Sequence, residues 1–250
     1  MPRILSTEYF FWLVLIGFYF ADCVKLIPRD RLLLSENFKG RISPIFSFHD
    51  FELGGRHVYF LNFMAPFLCV FNLSCGIDTS LSKHNITRDA RRIKLFQRRV
   101  RLLRLISLID LLLIFSGPVL TYLFGFFSAV ILIIPLHLVL YLGMCLVLIK
   151  NRKDINLGSG KLLSVLFESL VVPAYVCNIV QRLSLIQNFS GNGYLYSLQF
   201  ATEEDRAEIE FCINRKIEQE IDVCSAYDPA LVAVYERYRT TLLGKEMRIE

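Results

Sequence analysis

Most of the usual signatures of a soluble enzyme are absent from this chain. None of its seven cysteines, at 23, 69, 75, 145, 177, 212 and 224, forms a CxxC pair or a zinc-like cluster, and their number is odd. That excludes a disulfide framework as the expected basis of the fold and favours a reducing compartment for the soluble parts. No Gly-x-Ser-x-Gly elbow is present, and the four histidines have no evident nucleophile beside them, so no hydrolase site can be argued. Gly158-Ser159-Gly160-Lys161 is not a phosphate loop: the required glycine five places before Gly160 is Ile155, and the residue after Lys161 is Leu162. Charge is also scarce, at 20% of 250 residues, against 54% hydrophobic residues and 21 phenylalanines. A disordered or acidic solvating chain is excluded by that balance.

What the chain does have is long apolar runs, of the length that crosses roughly 30 Å of hydrocarbon. Tyr9 to Ile27 is almost unbroken apart from Asp22 and Lys25, and reads as a first transmembrane helix spanning the segment 1–27. Leu105 to Phe127 and Ala129 to Ile149 follow each other with almost no connection. They are expected to form an antiparallel helical hairpin over 105–149. The expected fold is a mainly α membrane protein with three transmembrane helices and a small α+β cytoplasmic part. Val58 to Cys75 and Leu162 to Val180 are candidates for a fourth and fifth span.

Net charge divides along the chain. Residues 1 to 199 carry 21 basic and 11 acidic side chains, and residues 200 to 250 carry 7 and 12, so a body of +10 precedes a tail of −5. The basic residues crowd beside apolar runs, the pattern of cytoplasmic flanks facing anionic lipid rather than of nucleic-acid binding. Lys25, Arg29, Arg31, Lys39 and Arg41 follow the first run and only Arg3 precedes it. The positive-inside rule then puts the N-terminus outside and both open ends of the hairpin in the cytoplasm, in an inner or plasma membrane.

Between residues 28 and 104 the chain is expected to be cytoplasmic. Gly54-Gly55, set between aromatic and partly alternating stretches, signals a β-hairpin over Phe46 to Phe60, which is preferred here to a span over Val58 to Cys75. His49, Asp50, Glu52 and His57 could in principle meet a metal, but alternation turns His49 away from Asp50 and Glu52, so no metal and no cofactor is expected. Residues 83 to 104 hold nine Lys or Arg against one Asp. Arg91, Lys94, Arg98 and Arg101 fall on one helical face and Ile93, Phe96, Val100 and Leu103 on another. The basic face is a candidate contact for anionic headgroups or an acidic partner, each charge contributing about 1 kcal/mol near a charged leaflet.

Residues 150–190 read as a polar linker followed by in-plane or re-entrant apolar helices, since Glu168 and Pro173 interrupt Leu162 to Val180. In 191–250, alternation of Tyr194, Tyr196, Leu198 and Phe200 predicts a strand. Thr202 is expected to cap a helix with the apolar face Ile209, Ile213, Ile217 and Ile221, and Asp228-Pro229 to start a second helix with the stripe Leu231, Tyr235, Tyr238 and Leu242, ending at Gly244. This acidic tail is expected to dock on the basic body, its isoleucines facing the second tail helix plus either the Gly54-Gly55 hairpin or another chain.

Three ionisable residues in apolar runs are the candidate intramembrane polar sites: Asp110, His137 and Glu168. Folding the hairpin about residue 127 puts Asp110 level with Met144 and His137 level with Gly117, roughly 10 Å apart in depth and too far for a direct hydrogen bond. No catalytic residue is therefore assigned. The expected function is a non-enzymatic, partner-binding, scaffold or oligomerising subunit of a membrane complex, with a protein partner or a homo-oligomer and the bilayer as contacts. The alternative is an intramembrane proton or ion transport or catalytic role centred on Asp110 and His137 in an oligomer.

Overall fold

A computed structural model describes residues 7–45, 52–76, 83–225 and 227–246. The order of elements is α1 (Thr7–Cys23), β1 (Val24–Pro28), β2 (Arg31–Glu36), β3 (Ile42–Ile45), β4 (Glu52–Leu53), β5 (Arg56–Phe60), β6 (Val70–Ser74), α2 (Lys83–Arg99), α3 (Arg101–Phe124), α4 (Phe126–Asn151), α5 (Ser159–Val171), α6 (Ala174–Cys177), α7 (Ile179–Leu185), α8 (Gly193–Phe200), α9 (Glu203–Ser225) and α10 (Pro229–Glu246). The chain divides into two compact units, one of residues Met1–Leu26, Val58–Cys69 and Lys94–Gln187, the other of Ile27–His57, Val70–Ile93 and Asn188–Glu250.

The first unit is built on α3 and α4. Both are long and apolar enough to cross a membrane, at 24 and 26 residues with mean hydropathy of 2.0 and 2.6. Only Gly125 separates them, at φ +84°, a conformation that a side chain would strain, and its N–H caps α3 by donating to the Thr121 carbonyl at 3.0 Å. Helix α1 packs along α3: the Trp12 indole N–H donates to Thr121 Oγ1 at 2.7 Å, and the Tyr19 and Phe115 rings meet edge to face with centroids 5.7 Å apart. Gly117 makes room for Trp12, because a Cβ there would lie 2.4 Å from the indole. The first apolar run is not one helix to Ile27 as expected. It ends at Cys23 and continues as β1, where Pro28 and the β-branched Val24 and Ile27 favour extended backbone.

After α4 the chain turns back as three short helices. Pro173 breaks α5 from α6, and Asn178 separates α6 from α7. At 13 residues α5 is below spanning length. Buried polar groups hold this segment: Asn178 Nδ2 donates to Asp22 Oδ2 at 3.0 Å, and Gln181 Nε2 reaches the Asn62 and Ala65 carbonyls at 3.4 Å.

In the second unit, β2 is the centre of an antiparallel sheet of order β3-β2-β6, with Leu34 opposite Pro44 and Phe71. Leu32, Leu33 and Leu34 are all fully buried, so the central strand is covered on both faces, and Pro44 sits where the lost N–H is tolerated, on an edge strand. The β2–β3 turn follows from Asn37, whose side chain accepts from the Lys39 and Arg41 amides, and from Gly40 at φ +76°.

A second sheet has the order β1-β5-β4. Its β4–β5 hairpin turns at Gly54 and Gly55, φ +57° and +74°, pairing Leu53 with Arg56 and Glu52 with His57. No helix covers Val58 to Cys75, which is strand, irregular chain and strand. His49 and Asp50 lie outside the described residues.

The largest departure from expectation is α8. Residues 194–200 are a helix and not a strand, because Asn192 Oδ1 accepts from the Tyr194 and Leu195 amides and so caps a helical turn. Tyr194 to Leu198 are buried on every side, so alternation of side chains carried no information about exposure. Gly193 lets this helix approach the sheet: a Cβ would lie 2.8 Å from Cys75 Sγ and 3.3 Å from Leu32 Cβ.

Thr202 caps α9 together with Asp205. Ile209, Ile213 and Ile217 are buried and Ile221 half-buried, and they face α8 and α10 rather than the Gly54-Gly55 hairpin. Helix α10 starts after Asp228, which caps the Ala230 amide, and it runs through Gly244 to Glu246 instead of stopping there. Tail acids Glu210 and Glu218 pair with the tail's own Arg206 and Arg239, at 3.7 and 3.0 Å. Burial of isoleucine therefore does more than charge to hold the tail. Ile213→Asp would place a carboxylate on this closed face and should destabilise the second unit by about 3 kcal/mol or more. Limited proteolysis should then cut within 203–246 while α3 and α4 stay uncut.

Candidate functional site

Asp110 is the one ionisable side chain along the apolar length of α3, and it is completely buried. Two donors converge on it. His137 Nδ1, from α4, lies 2.7 Å from Asp110 Oδ1, and the Cys177 thiol, from α6, donates to Oδ2 at 3.3 Å. Ser107, one turn before Asp110, bonds the Cys177 carbonyl and so fixes α6 against α3 at the same level.

This corrects the expected 10 Å separation of Asp110 and His137. The hairpin pivots on Gly125, not on residue 127, and a Cβ on Gly143 would lie 3.8 Å from Ile106 Cδ1, so facing positions sum to about 250. Asp110 is then only about three residues, or ~4.5 Å, from the level of His137, and the two side chains close that gap. The glycine was the available signal: placing the turn at the residue best able to take positive φ would have shown the pair.

The order of the three groups decides what they can do. Cys177 bonds the carboxylate and not the imidazole, so this is not a thiol activated by a histidine. An ionised Asp110 is acceptor-only and binds two donors here, with the proton of His137 on Nδ1. In the neutral imidazole with that proton on Nδ1, the other ring nitrogen, Nε2, is an acceptor, and it has no protein partner among the described residues.

His137 also borders a cavity of about 200 Å³, whose remaining walls include Phe11, Trp12 and Leu15 of α1, Ile133 of α4 and Leu170 of α5. The polar atoms of the other amphipathic wall residues are committed elsewhere: Trp12 Nε1 to Thr121, and Tyr141 OH to the Leu166 carbonyl at 3.1 Å.

Glu168 does not join this group. It accepts from Ser164 at 2.5 Å and pairs with Arg182. The Ser164 hydrogen bond holds its carboxyl below the usual carboxylate range against the opposing effect of burial, and the Arg182 guanidinium adds to the lowering. Arg182 in turn stacks over Tyr175, 4.2 Å from the ring centroid, which makes a structural clasp between α5, α6 and α7.

Arg91, Lys94, Arg98 and Arg101 are all exposed, while Ile93, Phe96, Val100 and Leu103 are buried, so α2 and the start of α3 present one charged face. Arg99 on the same helix pairs with Asp154 at 3.3 Å. No group of three or more potential metal ligands occurs among the described residues.

Two residues that sequence reasoning passed over prove structural. Asp89, fully buried in α2, accepts from the Ser190 and Gly191 amides at 2.9 and 2.7 Å. Tyr238 accepts from Asn192 Nδ2 at 2.7 Å and donates to the Cys75 carbonyl at 3.2 Å. Burial pushes the Cys75 thiol to about 12, so it stays protonated at neutral pH.

Comparison of the chain with protein-family models, with curated proteins and with solved structures finds no match.

Asp110→Ala should be costly, because it leaves two buried donors without an acceptor, about 1–3 kcal/mol for each. In a double-mutant cycle of Asp110→Ala with His137→Leu, measured by denaturation in bicelles, the coupling should exceed about 1 kcal/mol. Additive effects would mean that the pair does not interact.

Proposed function

We propose that this chain is a multi-pass integral membrane protein, non-enzymatic, whose helical unit holds a binding centre for a membrane-borne ligand at Asp110 and His137. The observation that carries the reading is the 2.7 Å contact between the two at a fully buried depth of α3. An ionisable pair on spanning helices costs solvation free energy and is a functional-site hypothesis by default. The mostly apolar cavity beside His137 favours binding over proton conduction, since the indole N–H of Trp12 and the hydroxyl proton of Tyr141 on the same walls are given to Thr121 and to the Leu166 carbonyl.

In this reading α1, α3 and α4 span, and α5 to α7 form an in-plane or re-entrant segment. Support for α1 comes from its antiparallel course along α3, with Trp12 at Thr121 and Tyr19 at Phe115. Its 17 residues reach about 25 Å, at the short end of a span. The exposed strip Arg91, Lys94, Arg98 and Arg101 then lies at the cytoplasmic leaflet against anionic headgroups. A second reading, as a scaffold or oligomerising subunit, is favoured by exposed apolar side chains on the tail helices, among them Phe211 and Val234.

Fusions of green fluorescent protein and of alkaline phosphatase after residues 155 and 250 test the topology. Fluorescence and no phosphatase activity are expected at both sites; phosphatase activity at 250 alone would show that the α5–α7 segment spans. For the binding centre, protein purified in mild detergent should retain a small apolar molecule, identified by mass spectrometry of its organic extract, that His137→Leu loses at least about tenfold. Equal retention by both would remove His137 from the reading.

A further inference from the structure

The ligand class follows from how the cavity beside His137 is wired, an argument that rests on the binding-centre reading above. Its walls carry three side chains with polar ring or hydroxyl groups: Trp12, Tyr141 and His137. The first two have given their donors to Thr121 and to the Leu166 carbonyl, and both donors point into the protein's own bonding. His137 has given Nδ1 to Asp110, so Nε2 is its remaining polar atom; it and the lone pairs of the Tyr141 oxygen are the polar groups that these three side chains still offer, and both are acceptors. With the proton held on Nδ1, Nε2 accepts and does not donate.

A molecule that fits must therefore bring a single hydrogen-bond donor on an apolar body. Size sets a second limit. A dry engineered cavity of 150 Å³ holds benzene, and this one, at about 200 Å³, has room for one ring or a short branched chain. The walls combine aromatic groups, Phe11 and Trp12, whose rings meet edge to face with centroids 5.0 Å apart, with branched aliphatic groups, Ile114, Ile133 and Leu138. A carboxylate would meet an acceptor backed by a second carboxylate at Asp110, and an ammonium would have to be desolvated against apolar walls, so both ions are disfavoured.

We infer that the cavity takes the hydroxyl-bearing ring or branched head of a neutral membrane lipid, a phenol-like or alcohol-like group that donates its O–H to His137 Nε2 while the rest of the molecule remains in the apolar phase. Asp110 acts as a positioning residue: it holds the imidazole in the tautomer and orientation that keeps Nε2 an acceptor, and it does not touch the ligand. Cys177 and Ser107 hold Asp110 and α6 in turn.

The chain's single tryptophan, Trp12, lies in the cavity wall and makes the test direct. The probes are 4-bromophenol and bromobenzene, which share a ring and a quenching heavy atom and differ by the hydroxyl. They are titrated into full-length protein in nanodiscs of neutral lipid, with Trp12 emission as the readout and concentrations corrected for partitioning into the bilayer. In the wild type 4-bromophenol should quench saturably, with an affinity at least roughly tenfold above that of bromobenzene, the difference one hydrogen bond to a charge-supported acceptor makes.

His137→Leu should abolish that preference while bromobenzene still quenches saturably, which also shows that the variant's cavity is intact. Asp110→Asn should weaken 4-bromophenol alone, because an amide lets the imidazole change tautomer. If both probes bind saturably with equal affinity in the wild type, the hydroxyl inference is overturned while the binding centre stands. Quenching that is linear for both probes would overturn the binding centre itself.

Discussion

A buried carboxylate is the constraint around which the helical unit is arranged. Asp110 cannot sit on an apolar helix without donors, because an unpaired charge there costs several kcal/mol after relaxation. Its two oxygens take one donor from α4 and one from α6, so three segments far apart in sequence must meet at one level. That requirement explains features that look unrelated along the chain. Pro173 separates α5 from α6, whose Cys177 meets Asp110 on α3, and Ser107 holds the Cys177 carbonyl. Gly125 sets the pivot that brings His137 within reach, and Gly117 admits Trp12 against α3.

The second unit solves a different problem, that of covering a short sheet whose central strand is apolar on both faces. Leu32, Leu33 and Leu34 need cover on each side, and α8 supplies part of it through the close approach at Gly193. The tail helices then bury Ile209, Ile213 and Ile217, with Tyr238 bridging Asn192 and the Cys75 carbonyl. Side chains offered by the sequence as contacts for a partner are thus largely used within the unit. Apolar groups of α9 and α10 that stay on the surface include Phe211 and Val234.

Chemistry and architecture meet at the imidazole of His137. A histidine whose Nδ1 is anchored to a carboxylate is oriented, and in the proposed reading such a ring on an apolar cavity would select a ligand by its hydrogen-bond donor. The thiol of Cys177 bonds the far oxygen of Asp110 and not the imidazole, an arrangement that suits the proposed binding role better than activation of a thiol by a histidine.

The sequence by itself determined the apolar helical pair, the tight turn between its members, the Gly54-Gly55 hairpin and the capped tail helices, because each depends on residues close together in the chain: run length, glycine at positive φ, Thr202 and Asp228 at helix starts. The two-faced pattern of Arg91, Lys94, Arg98 and Arg101 against Ile93, Phe96, Val100 and Leu103 was legible for the same reason. Tertiary structure decided the rest. Residues 194–200 alternate like a strand, yet burial of Tyr194 to Leu198 on all sides removed the contrast that makes alternation informative, and a cap at Asn192 settled the local conformation. The meeting of Asp110, His137 and Cys177 depended on a pivot two residues from the assumed one and on the return of α6 across a span of sequence. Depth along a helix changes by about 1.5 Å per residue on each strand of a hairpin, so a small error in the turn doubles in the pairing. Local rules cannot supply that accuracy; only the packed helices do.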